Sequence, residues 1–133
     1  MAADKVQLAR TWLKRFMETM RANDVFSDEF VWDFSGFRGW VEDDVYLGRE
    51  AFDAQMTRWT EPFDDYTIEF TEIIDIGGDD LLALGVQRGR LKGSGAVVEM
   101  PLGQIWTITG EKLTRIRIFA DDRDAREAAG QPD

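Results

Sequence analysis

From Asp4 to about Met20, apolar residues recur every three or four positions: Val6, Ala9, Leu13, Phe16, Met17 and Met20, with Leu8 and Trp12 widening the stripe. That period places them on one face of an α-helix. Asp4, with Gln7 three residues on, makes a capping pair at its start. Arg21-Ala22-Asn23-Asp24 ends the helix, and Val25 to Asp28 reads as a short further helical turn. The pattern then changes. Glu29 to Phe37 carries Phe30, Trp32 and Phe34 at alternate positions, the period of a strand. An irregular loop from Gly36 to Gly48 follows, rich in glycine and acidic residues and holding Trp40 and Tyr46. Arg49 to Phe63 returns to helical spacing, with Phe52, Met56 and Trp59 on one face and Pro62 near its end.

Beyond that point the chain is read as strands. Tyr66 to Ile76 alternates and runs into Gly77-Gly78-Asp79-Asp80, a turn. Leu81 to Lys92 closes on Gly93-Ser94-Gly95, and Ala96 to Thr109 turns at Gly110-Glu111-Lys112 into Leu113 to Ala120. Connections this short predict an antiparallel meander. Asp124 to Ala129 forms a last helical turn before a frayed tail over 130–133. Helices followed by a long meander is an α+β plan. A sheet of that length curls around the helices, and the mouth of the curl is where a ligand pocket is expected.

Composition narrows what such a fold can do. The 133 residues make one domain, 1–133, and 44% hydrophobic content with five Trp and nine Phe suffices for a core and an enclosed cavity. A net charge of −10 argues against nucleic acid and anionic membrane surfaces. No run approaches the roughly 18 apolar residues of a membrane span, and no signal-like segment opens the chain, so a cytoplasmic location is expected. The absence of cysteine excludes disulfides and thiolate chemistry, and the absence of histidine removes the commonest neutral-pH base and catalytic metal ligand. No metal or other cofactor is expected. The acids Glu42, Asp43, Asp44, Asp79 and Asp80 match no calcium-loop spacing and read as solvated turns.

Taken in order, these segments resemble the SnoaL-like branch of the nuclear-transport-factor-2-like superfamily across nearly the whole chain. The resemblance rests on a helix ending in Ala22-Asn23-Asp24, then Val31-Trp32-Asp33-Phe34-Ser35-Gly36, then Tyr46-Leu47-Gly48-Arg49-Glu50 opening a helix. Tyr66 to Asp75, Gln104-Ile105-Trp106 and Gly110-Glu111-Lys112-Leu113 complete it. It implies an α+β cone, a bent antiparallel or mixed sheet wrapped around N-terminal helices, with an apolar pocket at the wide end. It also implies homodimers formed through the sheet. Its activities range over polyketide cyclases, ketosteroid isomerase, epoxide hydrolases and dehydratases, so fold alone names no reaction. By this resemblance Asp33 stands at the general base of ketosteroid isomerase. Phe16 stands where that enzyme has its oxyanion-binding Tyr, and Gly103 or Gln104 where it has a protonated Asp. Ile118 stands where the cyclases have an essential Asp.

Asp33 is therefore the candidate catalytic acid or base, and strand alternation leaves two orientations open for it. It shares a face with Val31 and Ser35, opposite Phe30, Trp32 and Phe34, so aromatics facing the core would turn it outward. Were it to line an apolar pocket, burial would raise its pKa into a useful range. Gln104, flanked on its face by Leu102 and Trp106, is the candidate substrate-positioning donor. Phe16, Met20, Trp32, Tyr46, Trp59 and Trp106 are candidate pocket-wall residues, with Trp40 and Tyr46 at the mouth. Arg88, Arg90, Arg115 and Arg117 fall at alternate positions on two strands and read as a solvated or dimer-facing sheet surface with acids opposite. The expected ligand is a small apolar or aromatic molecule, handled by an isomerase, cyclase or hydrolase-type enzyme using Asp33. The alternative is a non-catalytic binding or dimerisation module. Polar groups converging in the pocket separate the two.

Overall fold

The computed structural model describes residues 5–40 and 45–130. Among them, α1 (Lys5–Thr19) leads to β1 (Phe26–Asp33), the short β2 (Val45–Leu47) and α2 (Gly48–Thr60). Four long strands follow, β3 (Phe63–Gly77), β4 (Asp80–Leu91), β5 (Val97–Thr109) and β6 (Lys112–Phe119), and then α3 (Asp122–Ala128). All six strands form one curved, unclosed sheet in the order β2-β1-β6-β5-β4-β3. The tight turns produce the expected antiparallel meander from β3 to β6. β1 joins its far edge parallel to β6 and antiparallel to β2, which makes the sheet mixed. The fold is α+β.

Alternation along the strands sorts side chains onto two faces. On the concave face, Phe30 and Trp32 of β1, Leu81 and Ala83 of β4, and Leu102 and Trp106 of β5 pack against Trp12 and Phe16 of α1 and Phe52 and Met56 of α2. The rings meet mostly edge to face, as at Trp12–Trp106 (4.9 Å) and Phe30–Phe52 (5.4 Å), the arrangement aromatic quadrupoles favour. On the opposite face a smaller cluster of Leu82, Leu84, Ile105 and Phe119 is covered by Ala125 of α3. That cover comes so close that a Cβ at Gly103 would stand 2.6 Å from the Ala125 Cβ and 2.8 Å from the Asp121 carbonyl. Only glycine admits the helix there.

Two boundaries differ from expectation. Val25 to Asp28 is not helical: the Asn23 side-chain oxygen accepts the Val25 N–H (3.0 Å), the turn closes, and Phe26 already pairs with Leu113 as β1 begins. Helix α2 stops at Thr60, and Phe63 opens β3, because its register against Leu91 starts there. Within the anticipated 36–48 loop, Val45–Leu47 pairs with Val31–Asp33 as β2. At the β2–α2 junction Gly48 has φ +86°, which favours glycine. Arg49 then pins α2 to β1 through two N–H donors on the Phe26 carbonyl (3.0 and 2.7 Å). The capping role of Asp4 and the solvated-turn reading of Glu42, Asp43 and Asp44 lie outside the described residues. No helix among the described residues is long and apolar enough to cross a membrane.

Candidate functional site

Between the two long helices and the concave face lies a cavity of about 30 Å³, room for about one water. Helix α1 contributes Trp12 and Phe16 to its wall, β1 contributes Trp32, and α2 contributes Trp59 beside Phe52 and Met56. The sheet adds aliphatic residues, including Leu102, Ile116 and Ile118, and three polar side chains, Tyr66, Gln87 and Gln104. No charged side chain among the described residues lines it. Of the wall residues expected from sequence, Phe16, Trp32, Trp59 and Gln104 are brought together there.

The polar groups are held in a defined orientation. The Trp59 indole N–H donates to the Gln87 side-chain oxygen (2.9 Å), and the Tyr66 hydroxyl donates to the same oxygen (2.6 Å). The Trp106 N–H donates to the Gln104 side-chain oxygen (2.6 Å). An indole N–H can only donate, so both amides must turn their oxygens towards the indoles. The two NH2 groups are left with no recorded partner among the described residues. Two wall indoles, Trp12 and Trp32, have N–H groups buried without a partner. Burial pushes the Tyr66 hydroxyl up to about 12, with the neighbouring Trp59 N–H offsetting part of that rise. It stays neutral at physiological pH.

Asp33 lies elsewhere. Its residue is 5% exposed, yet its carboxylate is absent from the cavity wall. One oxygen accepts the Ser35 backbone N–H (2.8 Å) and the other accepts an Nη2 donor from Arg115 of β6. Alternation sets this arrangement: with Phe30, Trp32 and Phe34 buried in the concave core, Asp33 takes the outer face. The parallel β1–β6 pairing puts Asp33 opposite Arg117 and Val31 opposite Arg115, so the guanidinium reaches diagonally. Burial alone would raise the carboxyl pKa. The hydrogen bonds from Arg115 and Ser35, together with the Arg115 charge, outweigh it and hold the group below its ordinary 3.8. This is opposite to the shift that makes a carboxylate a useful base.

Three other expected wall residues stand outside the cavity lining. Met20 lies just past α1 in a left-handed conformation, φ +57°. Tyr46 sits on β2 with its ring against Phe34 (5.5 Å). Trp106 is fully buried behind the wall, against Trp12 and Phe70, and acts on the site through Gln104. Sequence reading did not single out Tyr66 and Gln87 for the wall. Gln87 carries the same signal as Gln104, a lone polar residue sharing its strand face with the apolar Leu81 and Ala83.

Alternation also decides between two residues that the resemblance left equivalent. Gly103 faces α3, so Gln104 is the one turned to the cavity. Phe16 and Ile118 both line the wall, so the two positions that the resemblance matched to a Tyr and an Asp are apolar here. At the mouth, Trp59 also borders an outer groove of about 360 Å³ formed with Trp40, Gln55, Arg58, Phe63 and Met100. Trp40 is stacked between Phe34 (4.1 Å) and Trp59 (5.9 Å). On the outer sheet surface Arg88 pairs with Glu99 directly across the β4–β5 ladder, and Arg90 lies 3.9 Å from Asp65.

The topology and the aromatic cone define the nuclear-transport-factor-2-like fold, whose solved relatives include ketosteroid-isomerase-like and SnoaL-like proteins. TerC, crystallised with polyporic acid, is similar to this chain at a TM-score of 0.70 and 14% identity, over 96% of this chain and 99% of that one. An NTF2-like protein of Burkholderia xenovorans LB400 is similar at 0.65 and 19% identity, over 93% and 94% of the two chains. A protein of Catenulispora acidiphila with a ketosteroid isomerase-like fold, in complex with trimethylamine, is similar at 0.64 and 14% identity, over 90% and 92%. These likenesses establish the fold and nothing finer. No protein-family model matches the sequence, and no curated protein matches it.

Proposed function

We propose that the protein binds a small, uncharged apolar or aromatic molecule where the inner cavity and the outer groove share Trp59, and that Asp33 ties two strands together instead of moving protons. The observation that carries this reading is the uncharged cavity wall, with the carboxylate held on the opposite face by Arg115. Supporting it are the aromatic wall, the oriented amides and the Trp59 ring, shared with a larger outer groove. Two proteins of the same fold were crystallised with small organic molecules, polyporic acid and trimethylamine. The neutral Tyr66 and the two glutamines position a ligand without serving as a base near pH 7. A homodimer through the sheet belongs to the same reading. Val97, 61% exposed beside the self-neutralising Arg88–Glu99 pair, is an apolar side chain such a contact would cover.

Filling the cavity tests this directly. Benzene added at millimolar concentration is larger than the closed cavity and is expected to lodge in the outer groove against Trp59, shifting the Trp59 indole N–H resonance in a nitrogen-15 spectrum of the wild type. Trp40→Ala, which removes a ring from the groove wall, should weaken that shift while the protein stays folded. A shift that persists unchanged in Trp40→Ala, or no shift in the wild type, would overturn the reading.

A further inference from the structure

A glycine inside a long strand often marks a place where another group comes down onto the backbone. On β4, Gly89 is such a place. A Cβ there would lie 2.7 Å from Cδ1, 2.8 Å from Cγ and 3.0 Å from Cβ of Phe63. The Phe63 ring therefore rests directly on the bare β4 backbone. It is also a wall of the outer groove, and Gly89 is not. The ring is thus the layer between the strand and the groove.

The other aromatic walls are braced. The Trp59 N–H is held by the Gln87 oxygen (2.9 Å), and Trp40 is stacked between Phe34 (4.1 Å) and Trp59 (5.9 Å). Phe63 keeps its height through the space that Gly89 leaves under it. Its backbone is fixed, because it pairs with Leu91 as β3 opens and the Lys92 N–H donates to the adjacent Pro62 carbonyl (3.0 Å). Along the sheet the Tyr66 ring stands 5.9 Å away, its hydroxyl held on Gln87 (2.6 Å). A side chain at position 89 would therefore turn the Phe63 ring off the strand and into the groove that it borders. Resting on the binding reading above, we infer that Phe63, seated on Gly89, is the specificity-determining residue of the groove and sets how large an aromatic body fits beside Trp59. A smaller side chain at 63 deepens the groove, and a larger one at 89 makes it shallower. Neither change adds a charge or a hydrogen-bonding group, so size preference moves while polarity stays.

Benzene and indane, the same ring without and with a fused second one, read this preference. Each is titrated into nitrogen-15-labelled protein and followed at the Trp59 indole N–H. Phe63→Leu is expected to raise the ratio of indane to benzene affinity by about threefold, and Gly89→Ala to lower it by about fivefold. These are the changes that gaining or losing contact with about one buried methylene produces. Combining Gly89→Ala with Phe63→Leu should return the ratio to near its wild-type value. A merely structural role for either residue would weaken both ligands alike and leave the ratio where it was. Should Gly89→Ala not fold, Phe63→Leu decides alone. An unchanged ratio in a folded variant, or a change of the opposite sign, overturns the inference and leaves the binding reading intact. No Trp59 shift with either ligand in the wild type overturns the binding reading and this inference with it.

Discussion

Replacing Arg115 by methionine is expected to destabilise the protein by about 2–3 kcal/mol at pH 7, and the loss should shrink as the pH is lowered towards 3. Methionine retains much of the aliphatic stem but leaves a carboxylate 5% exposed with Ser35 alone in place of Ser35 and Arg115. In the wild type the folded-state pKa of Asp33 is depressed. Its contribution to stability is therefore present above the unfolded aspartate pKa and is lost as pH falls through the folded value. Without Arg115 only the Ser35 hydrogen bonds oppose the effect of burial. The variant's carboxyl is then less depressed than the wild type's in the folded state, and the variant loses less stability on acidification. Urea unfolding at pH 7, 5 and 3.5 reads the difference. A loss that is the same at all three would mean that Arg115 contributes packing and not charge.

Phe52→Ala is expected to cost about 3–5 kcal/mol, the range for emptying an aromatic core site. Its ring is 3% exposed and meets four others: Phe16 at 5.9 Å, Phe26 at 5.1 Å, Phe30 at 5.4 Å and Trp32 at 4.6 Å. These neighbours come from α1 and β1, so little can collapse into the vacancy without moving a whole element. Because Phe52 also forms part of the cavity wall, the variant should enlarge the cavity. Benzene should then raise its melting temperature more than that of the wild type, through binding to the folded state alone. A loss under about 1 kcal/mol would show that the aromatic cluster repacks freely, contrary to the tight packing expected of cores.

Much of this arrangement is legible in the sequence, because it depends on local periods. The 3.6-residue stripe from Val6 to Phe16 defines the face of α1 that buries Ala9, Trp12 and Phe16. The alternation of Phe30, Trp32 and Phe34 sets Asp33 on the face opposite those rings, and their burial in the concave core turns it outward. What periodicity does not contain is the partner. Arg115 stands 82 residues further on and reaches Asp33 only because β6 lies parallel to β1, a pairing that no turn encodes. Nor does it contain where α3, expected as a helical turn over Asp124 to Ala129, docks on the outer face, an approach signalled only by Gly103. Tyr46 and Met20 illustrate another limit. Tyr46, in the middle of a three-residue strand, and Met20, just past the end of α1, both pack against the core without reaching the cavity wall. Gln87 was within reach of the reasoning that found Gln104, but a glutamine between Val86 and Arg88 on a strand of mixed polarity stands out less than one between Leu102 and Trp106.

Whether Asp33 ties two strands or exchanges protons is read most directly from its own carboxyl carbon, followed by carbon-13 NMR as the pH is lowered. As a strand tie held by Arg115 and Ser35, it should titrate with a midpoint below the ordinary aspartate value of 3.8. A midpoint above about 5, in the range of a working general base, would contradict the assignment and return Asp33 to the chemistry of the site.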